Sequence, residues 1–359
     1  MEPGEHGARL MYLRISILFV ALTGLACAQT PESPGIQSPG IQSPTVAVID
    51  YYGVGKTSAE KLRKALAVKV GDPLPASKSD VEERMDAISG VASSHLEAVC
   101  CEAGKVILYV GLEETGAPHF DIREEPEGEA TLPDSAINDY RRYLEALGDA
   151  ARRGVVAQDQ TSGYPLSADP LTREIQTHFP DLAAEYIAQI REVLRSSYDE
   201  EQRAAAAFLA GYNPKKEDAV NDLQNTLRDS DPGVRAVATE GLTALLVYAR
   251  LNPDQQLKIA PTWFIEMLHS LSWSDREHAM KVLDLMTESR DAAVIDSLRD
   301  RALPALIEMA RWKTPQHALP AFLLSGRIAG LSESQIQDAW AKGDRESVLS
   351  AALAKRKSR

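Results

Sequence analysis

The stretch Asp231–Leu245, with the sequence DPGVRAVATEGLTAL, specifies the fold class of most of this chain. Asp231 is a residue type that caps helix N-termini, because its side chain accepts a hydrogen bond from a backbone N–H of the first turn. Beyond Arg235 the chain carries an apolar stripe at helical spacing, formed by Ala236, Ala238, Leu242 and Leu245. This pattern predicts a helix that packs a face of small residues against a neighbouring helix.

Similar units occur at three other places, each with a polar start followed by a stripe of Ala and Leu. The same position in the four units is occupied by Arg203, Arg235, Arg276 and Gln316, so the spacings are 32, 41 and 40 residues. A repeat of this length is typical of antiparallel helix pairs stacked in an array. We therefore expect an all-α domain over residues 135–353, interrupted by a loop near residues 155–170.

The stretch Asp231–Leu245 resembles a HEAT repeat, whose second helix starts with an Asp-Pro-x-Val-Arg pattern. The resemblance covers roughly residues 170–353, and the weaker match of the other units leaves the number of repeats open. It implies a superhelical scaffold that binds other proteins on a concave face, with Asp231 and Arg235 paired between repeats in a structural role. The tryptophans of this region are expected in its core: Trp263, Trp273, Trp312 and Trp340.

Residues 45–114 carry the signals of a small α+β domain. Thr45–Asp50 alternates β-branched residues and predicts a strand. Two helices follow, and they begin at the capping residues Ser58 and Ser79. A β-hairpin made of Val91–Cys100 and Lys105–Leu112 closes the unit, which gives the order β-α-α-β-β.

This order of elements, with Gly53 after the first strand and Gly71 between the helices, resembles a POTRA domain. The match runs from the VAVIDYYG strand to the LYVGLEE strand and covers about 70 residues. The resemblance implies a non-catalytic module that binds polypeptides or docks neighbouring subunits, often by adding a strand to a sheet edge. Such domains commonly precede an outer-membrane barrel, which the helical remainder of this chain does not resemble.

The edge of the predicted sheet is the candidate binding site. If the last strand pairs with the first, Val91–Cys100 lies at the margin of the sheet with unpaired N–H and C=O groups. Such an edge can recruit an extended segment of a partner. The alternative is that the helical domain or the linker covers it. The candidate residues are His95, Leu96, Glu97, Ala98, Val99 and Cys100.

The loop Gly53–Thr57, GVGKT, imitates a phosphate-binding loop between a strand and a helix. The complete motif needs a glycine five residues before Gly55, where this chain has Asp50. A carboxylate beside a triphosphate would repel it. We therefore interpret the stretch as a polar strand-to-helix connection, and we predict no bound cofactor.

Cys100 and Cys101 are neighbours on a predicted strand, so their side chains point to opposite faces. We interpret them as one buried cysteine and one spectator. A disulfide between the two and an intermolecular disulfide stay open as alternatives, since an oxidising compartment permits both.

The N-terminus has the features of an export signal. The apolar run Ile15–Leu25 stops at Ala26-Cys27-Ala28 and is too short to span a bilayer, which takes about 20 residues. We predict a signal peptide over residues 1–28, starting at Met1 or Met11, and a periplasmic or cell-envelope protein. Lipidation of Cys27, which would tether the chain to a membrane, is the less favoured alternative. Residues 29–44 form a spacer rich in Pro, Gly and Ser.

The charge balance bears on the partner. The chain has 39 Lys and Arg against 52 Asp and Glu, a net charge of −13. Nucleic-acid binding needs a basic surface, so we predict no nucleic-acid partner and instead a protein or polypeptide partner that is basic. Residues 115–134 are predicted as an acidic, extended linker, and residues 354–359 as a basic tail.

Catalytic motifs are missing from the sequence. Its seven histidines are scattered, and none has the spacing of HExxH or another metal site. We therefore predict an exported, non-catalytic scaffold or adaptor that docks polypeptides through the sheet edge and the helical surface. The alternative is an envelope hydrolase or lyase with its site in the helical domain.

Overall fold

The computed structural model describes residues 44–102 and 104–357. The predicted signal peptide, Cys27, most of the spacer and the last two residues of the basic tail lie outside these residues. No helix in the described ranges combines the length and the apolar character needed to cross a membrane.

A small α+β unit forms the N-terminal part and has the predicted order of elements. Its elements are β1 (Val46–Tyr52), α1 (Ala59–Leu66), α2 (Lys78–Asp86), β2 (Val91–Glu102) and β3 (Lys105–Glu114). The spatial order of the strands is β1-β3-β2, with β1 parallel and β2 antiparallel to β3. Both β1 and β2 are therefore edge strands.

Both faces of this sheet are covered. On one face, Leu108 and Val110 of β3 share a core with Leu62 of α1 and Met85 of α2. Successive side chains of a strand point to opposite faces, so the other face of β3 presents Ile107 and Tyr109, which belong to the core of the helical part. Since both faces are buried, only the strand edges remain for a partner.

The helical part begins at Asp134, close to the predicted start. A short hairpin of β4 (Gln158–Asp159) and β5 (Leu166–Ser167) lies in the predicted loop. The helices are α3 (Asp134–Arg152), α4 (Pro170–Gln176), α5 (Phe179–Glu185), α6 (Ile187–Ser196), α7 (Glu200–Gly211), α8 (Lys216–Thr226), α9 (Pro232–Leu251), α10 (Thr262–Met267), α11 (Trp273–Thr287), α12 (Ala292–Arg301), α13 (Leu303–Ala310), α14 (Pro315–Ile328), α15 (Glu333–Ala341) and α16 (Arg345–Lys357).

The segment between the two parts is irregular, as predicted, but it is packed along the helices instead of standing free in solvent. Phe120 and Leu132 are buried, and the backbone N–H of Arg123 donates to the carbonyl of Arg228 at 2.8 Å. The Arg123 side chain pairs with Asp229. This segment is therefore held against the helical part, because it carries apolar side chains that pack into the helical core.

A buried arginine at the start of successive long helices ties neighbouring units together. The Arg203 guanidinium of α7 donates to the carbonyls of Ser197 and Tyr198 at 2.9 and 3.0 Å. It also donates to the carboxylate of Asp229 at 3.1 to 3.2 Å, across to the following unit. Such a bidentate pair is retained in a dry interior only when its remaining donors are also satisfied, as they are here.

Arg235 of α9 repeats this arrangement one unit later. It donates to the carbonyl of Asp229 at 2.7 Å and to both carboxylate oxygens of Asp275 at 2.7 to 3.1 Å. Asp231 instead caps α9 by accepting the N–H of Val234 at 2.9 Å. The expected pairing of Arg235 between units is thus present, but its partner is Asp275, and the expectation that Asp231 pairs there is wrong.

Candidate functional site

The third arginine of this series, Arg276 of α11, is where the helical part contacts the small sheet. Its Nε donates to the carbonyl of Ser270 at 2.6 Å, and its guanidinium lies 4.4 Å from the ring centre of Tyr52 in β1. The side chain is 3% exposed, and its Nη1 has no hydrogen-bond partner among the described residues. The sheet thus covers an arginine that, in the preceding units, meets an aspartate.

An aromatic cluster fills the rest of this junction. The Tyr109 ring of β3 stacks on Trp273 at a centroid distance of 5.1 Å and lies 4.9 Å from Trp312. The Tyr109 hydroxyl is 2.6 Å from Nδ1 of His317, and the Tyr52 hydroxyl donates to a backbone carbonyl at 2.6 Å. Aromatic pairs of this kind stabilise a contact beyond the area they bury. The two parts of the chain therefore present one joined surface.

The tryptophans divide between this junction and the outer helices. Trp273 and Trp312 are buried as expected, though between the two parts and not inside the helical array alone. Trp263 and Trp340 are only partly buried, and each packs with an arginine guanidinium, of Arg228 and Arg345 respectively.

The glycine-rich loop after β1 binds the carboxylates of the protein itself. The N–H groups of Gly53 and Val54 donate to Glu308 of α13 at 2.7 and 3.2 Å. Those of Gly55, Lys56 and Thr57 donate to the carboxylate of Glu114 at 2.8 to 3.0 Å, and both of its oxygens accept hydrogen bonds. Such a loop is an anion-binding concavity. Its donors are already occupied, which agrees with its interpretation as a structural connection.

The conformation of this loop requires a glycine at position 53 and stabilises the ionised form of Glu114. Gly53 has a φ of +75°, and a Cβ there would lie 1.9 Å from the carbonyl oxygen of Leu112, so only glycine fits. Burial acts to raise the pKa of the Glu114 carboxyl. The hydrogen bonds from Thr57, Lys56 and Gly55 outweigh burial and lower that pKa to about 2.

The predicted binding strand, β2, does lie at an edge, but much of it is already in use. The N–H of Leu96 points away from β3 and donates to Glu82 of α2 at 2.7 Å. Glu97 accepts hydrogen bonds from Trp273 N and Ser272 Oγ at 3.0 and 3.2 Å. A bonded amide in the middle of an edge strand is a device that blocks pairing with another chain.

The other predicted residues of β2 differ in how accessible they are. Val99 is buried in the core shared with the helices, whereas Ala98 is exposed. His95 lies near two carboxylates, with Nδ1 3.4 Å from Glu82 and Nε2 3.9 Å from Glu97. Burial, together with the positive charge of Lys78, lowers the pKa of His95 to about 4.

Cys100 differs from its prediction. It is exposed and disulfide-bonded, so the interpretation of one buried cysteine and one spectator is wrong for this residue. The side chain of Cys101 lies outside what the structure describes.

The opposite edge, β1, borders a groove that the sequence analysis missed. Ile49 and Tyr51 of β1, together with Leu62 of α1, line a cavity of about 630 Å³. The loop after α1 contributes Val68 and Val70, and Val70 is 61% exposed. The apolar run AVKV that follows α1 is the sequence signal that could have indicated this groove, because a turn-rich connection does not require valines.

The outer backbone groups of β1 are only partly engaged. The start of the strand is bonded to the connection before α2, through Val46 N to Asp72 O and Gly71 N to Val46 O, both at 2.8 Å. Further along, the carbonyl of Ile49 accepts a hydrogen bond from Nζ of Lys313. Since the N–H and C=O of one strand residue point to the same side and alternate along the strand, those of Tyr51 also point toward the groove side.

A second cavity, of about 660 Å³, lies between the end of the sheet and α12 and α13. Its lining includes His269, Asp50 and Glu308, the residue types that an enzymatic site would need. Each of these side chains has a partner within the protein. His269 Nε2 lies 3.0 Å from the carbonyl of Arg301, and Asp50 accepts the N–H of Lys313 at 2.9 Å. Glu308 accepts the amides of the glycine-rich loop. The described residues contain no group of three or more His, Cys, Asp and Glu side chains that could hold a metal ion.

No protein-family model, curated protein or solved structure matches this chain.

Proposed function

We propose that the protein is an exported, non-catalytic scaffold that binds an extended polypeptide segment at the edge of its small sheet. In this proposal the N-terminal unit is POTRA-like, and the HEAT-like helical array holds it in place and offers a second protein-binding surface. The apolar N-terminal run supports export, and the order of elements and the arginine series support the two resemblances.

The observation that carries the proposal is the outer edge of β1 beside an apolar groove. A strand edge offers backbone donors and acceptors that give a bound peptide its affinity, and a groove beside it selects alternate side chains. The groove volume of about 630 Å³ lies in the range of roughly 300–1,000 Å³ that ligand sites occupy. Both faces of the sheet are buried, so the edge is the surface from which binding can start.

The proposal favours the edge of β1 over that of β2. A partner strand on β2 would have to displace Glu82 from the N–H of Leu96. On β1, only Lys313 holds the carbonyl of Ile49, and a lysine on a long side chain leaves more easily than a carboxylate on an adjacent helix. Binding at residues 95–100 of β2 stays a prediction, and the experiment below compares the two edges.

The test uses two proline variants that remove an outward amide without removing a bond to β3. Tyr51→Pro alters β1 and Ala98→Pro alters β2, because the N–H of each points away from the central strand. Residues 29–359 of each variant and of the parent chain are incubated with a library of random linear peptides, and the retained peptides are sequenced. Thermal unfolding of each variant shows that it is folded.

The proposal predicts retained peptides with alternating apolar residues, lost in Tyr51→Pro and kept in Ala98→Pro. Loss in Ala98→Pro alone would place the site on β2, as the sequence predicted. If the parent chain retains no peptide above the background of an unrelated protein, the proposed function is wrong.

A further inference from the structure

We infer that the groove beside β1 binds an acidic segment with large apolar side chains, so the ligand class is an extended polypeptide with carboxylates flanking an apolar core. This inference rests on the proposed function and adds the chemistry of the ligand. It differs from the basic partner that the net charge of the whole chain predicts.

The walls of the groove specify the apolar core of the ligand. Ile49 and Tyr51 of β1 line the groove, and α1 and the loop after it contribute Leu62, Val68 and Val70. Val70 remains 61% exposed although most large apolar side chains of this chain are buried. Covering such a side chain contributes roughly 25 cal/mol for each Å² of apolar surface removed from water, which favours an apolar occupant.

The rim of the groove specifies the flanking charges. Three cations line the groove, Arg63, Lys69 and Lys313, and the side chains of all three are exposed. The carboxylate in the same lining is that of Glu308. This basic rim stands out in a chain whose net charge is −13. Exposed charges act over a Debye length of about 8 Å at physiological salt, so a ligand in the groove meets the local cations and not the distant net charge.

The carboxylates near the groove do not cancel this rim. Glu308 lines the groove, but its carboxylate accepts the N–H groups of Gly53 and Val54. Asp50 faces Lys313, with Oδ1 3.4 Å from Nζ. Asp72 accepts the backbone N–H of Lys69 at 2.9 Å, which leaves the Lys69 side chain for a ligand. Among the described residues, Lys313 therefore has a carboxylate partner, whereas the side chains of Arg63 and Lys69 have none and are left for a ligand.

The strand edge favours a polypeptide over a lipid as the source of the carboxylates. The N–H and C=O groups of Tyr51 face the same side as the carbonyl of Ile49, which bonds Lys313. A peptide backbone supplies both a donor and an acceptor to such an edge, whereas an acyl chain supplies neither. A backbone polar group that is covered without a partner is destabilising, so a lipid would leave this edge unsatisfied.

The test measures affinity for three labelled peptides by fluorescence anisotropy, with residues 29–359. Each peptide has the same alternating core of Leu and Val, flanked by Glu, by Gln or by Lys. We expect the Glu-flanked peptide to bind about tenfold more tightly than the Gln-flanked peptide, and the Lys-flanked peptide to bind more weakly still. The difference should shrink at high salt, because exposed ion pairs are screened.

Two variants locate the effect. The double substitution Arg63→Gln with Lys69→Gln should abolish the preference for the Glu-flanked peptide and leave binding of the Gln-flanked peptide unchanged. Lys342→Gln, an exposed lysine of the distant helical part, is the matched control and should keep the preference. Equal thermal midpoints of the variants show that neither disturbs the fold.

The outcomes separate the two proposals. Equal affinity for the Glu-flanked and Gln-flanked peptides would overturn the inference and leave the proposed function standing. Absence of binding to all three peptides, repeated with the library of random peptides, would overturn both. Binding of anionic phospholipid vesicles, lost in the double variant and with no peptide bound, would identify a lipid as the ligand and also overturn the inference.

Discussion

The two edge strands of the small sheet, β1 and β2, both direct backbone N–H and C=O groups outward, but these groups are bonded to a different extent. On β2, the outward N–H of Leu96 is bonded to Glu82, and the flanking Glu97 is bonded to the helical part. On β1, the edge runs into an apolar groove with exposed cations on its rim. Natural proteins usually protect the unpaired backbone groups of both edge strands of a sheet. In this sheet β2 is protected and β1 is accessible, which indicates that the accessible edge has a use.

The largest expected effect concerns the junction that buries the sheet face and so leaves only the edges free. Trp312→Ala removes a side chain that is 2% exposed and contacts Tyr52 and Tyr109. We expect the free energy of unfolding to fall by about 3–5 kcal/mol, because truncating a buried aromatic side chain leaves a cavity. Urea denaturation measures this loss. Trp263→Ala, at a partly exposed position, is the control and should cost clearly less.

The next largest effect concerns Glu114, which the glycine-rich loop binds, and its contribution to stability depends on pH. The pKa of Glu114 is lowered to about 2 in the folded protein, so its ionised form stabilises the fold above the unfolded pKa, near 4.5. That stability is lost as the pH falls from about 4.5 to 2. We expect Glu114→Gln to lower the free energy of unfolding at pH 7 by about 2 kcal/mol. It should also reduce the loss of stability between pH 4.5 and pH 2.

Denaturant titrations between pH 7 and pH 2.5 check this expectation, with Glu113→Gln on the adjacent residue as the control. If Glu114→Gln loses stability below pH 4.5 as steeply as the parent protein, the three loop amides of Gly55, Lys56 and Thr57 do not hold an ionised carboxylate.

The blocked edge can be opened by removing its carboxylate. Glu82→Ala leaves the N–H of Leu96 without its partner, so we expect this amide to exchange its hydrogen at least tenfold faster and the fold to lose about 1 kcal/mol. Glu83→Ala, the exposed neighbour in α2, should change neither quantity. Hydrogen-exchange measurements on both variants decide this. Equal protection of Leu96 in both would mean that Glu82 does not close the edge.

The smallest effect concerns His95, a partly buried residue of the blocked edge. Its pKa is lowered to about 4, whereas in the unfolded chain it is near 6.5. The unfolded state therefore binds more protons between these values, and the stability contributed by neutral His95 is lost as the pH falls from 6.5 to 4. We expect His95→Asn to reduce the slope of stability against pH in this window. An identical slope in both proteins would contradict the lowered pKa.

Local signals in the sequence predicted the elements of the small unit and the helical character of the remainder, but not how the two parts meet. The alternation of the strands and the capping Asp231 act within a few residues, so a single stretch contains the information. The prediction that Ser79 caps α2 is wrong, because Ser77 accepts the N–H of Asp80 at 3.1 Å and Ser79 lies inside the helix. The bond from Gly53 to Glu308 joins residues 255 positions apart, and the pairing of Tyr52 with Trp312 is similarly distant. No local pattern states which carboxylate reaches the loop or which aromatic side chains cover the sheet face.

The same limit explains why the sequence could not compare the accessibility of the two edges. The sequence predicted that β2 lies at an edge, which is correct, but the position of Glu82 above Leu96 depends on how α2 packs on the sheet. The groove depends on the distance between β1 and α1, set by the tertiary core around Leu62 and Leu66. A strand edge is a property of topology, whereas an accessible edge is a property of packing.

The most direct test follows amide hydrogen exchange along both edges while the Glu-flanked peptide is added. The account predicts that the amides of Ile49 and Tyr51 on β1 become protected at saturation, while those of Ser94 and Ala98 on β2 are unchanged. Protection of Ser94 and Ala98 with β1 unchanged, or no protection at either edge, would contradict it.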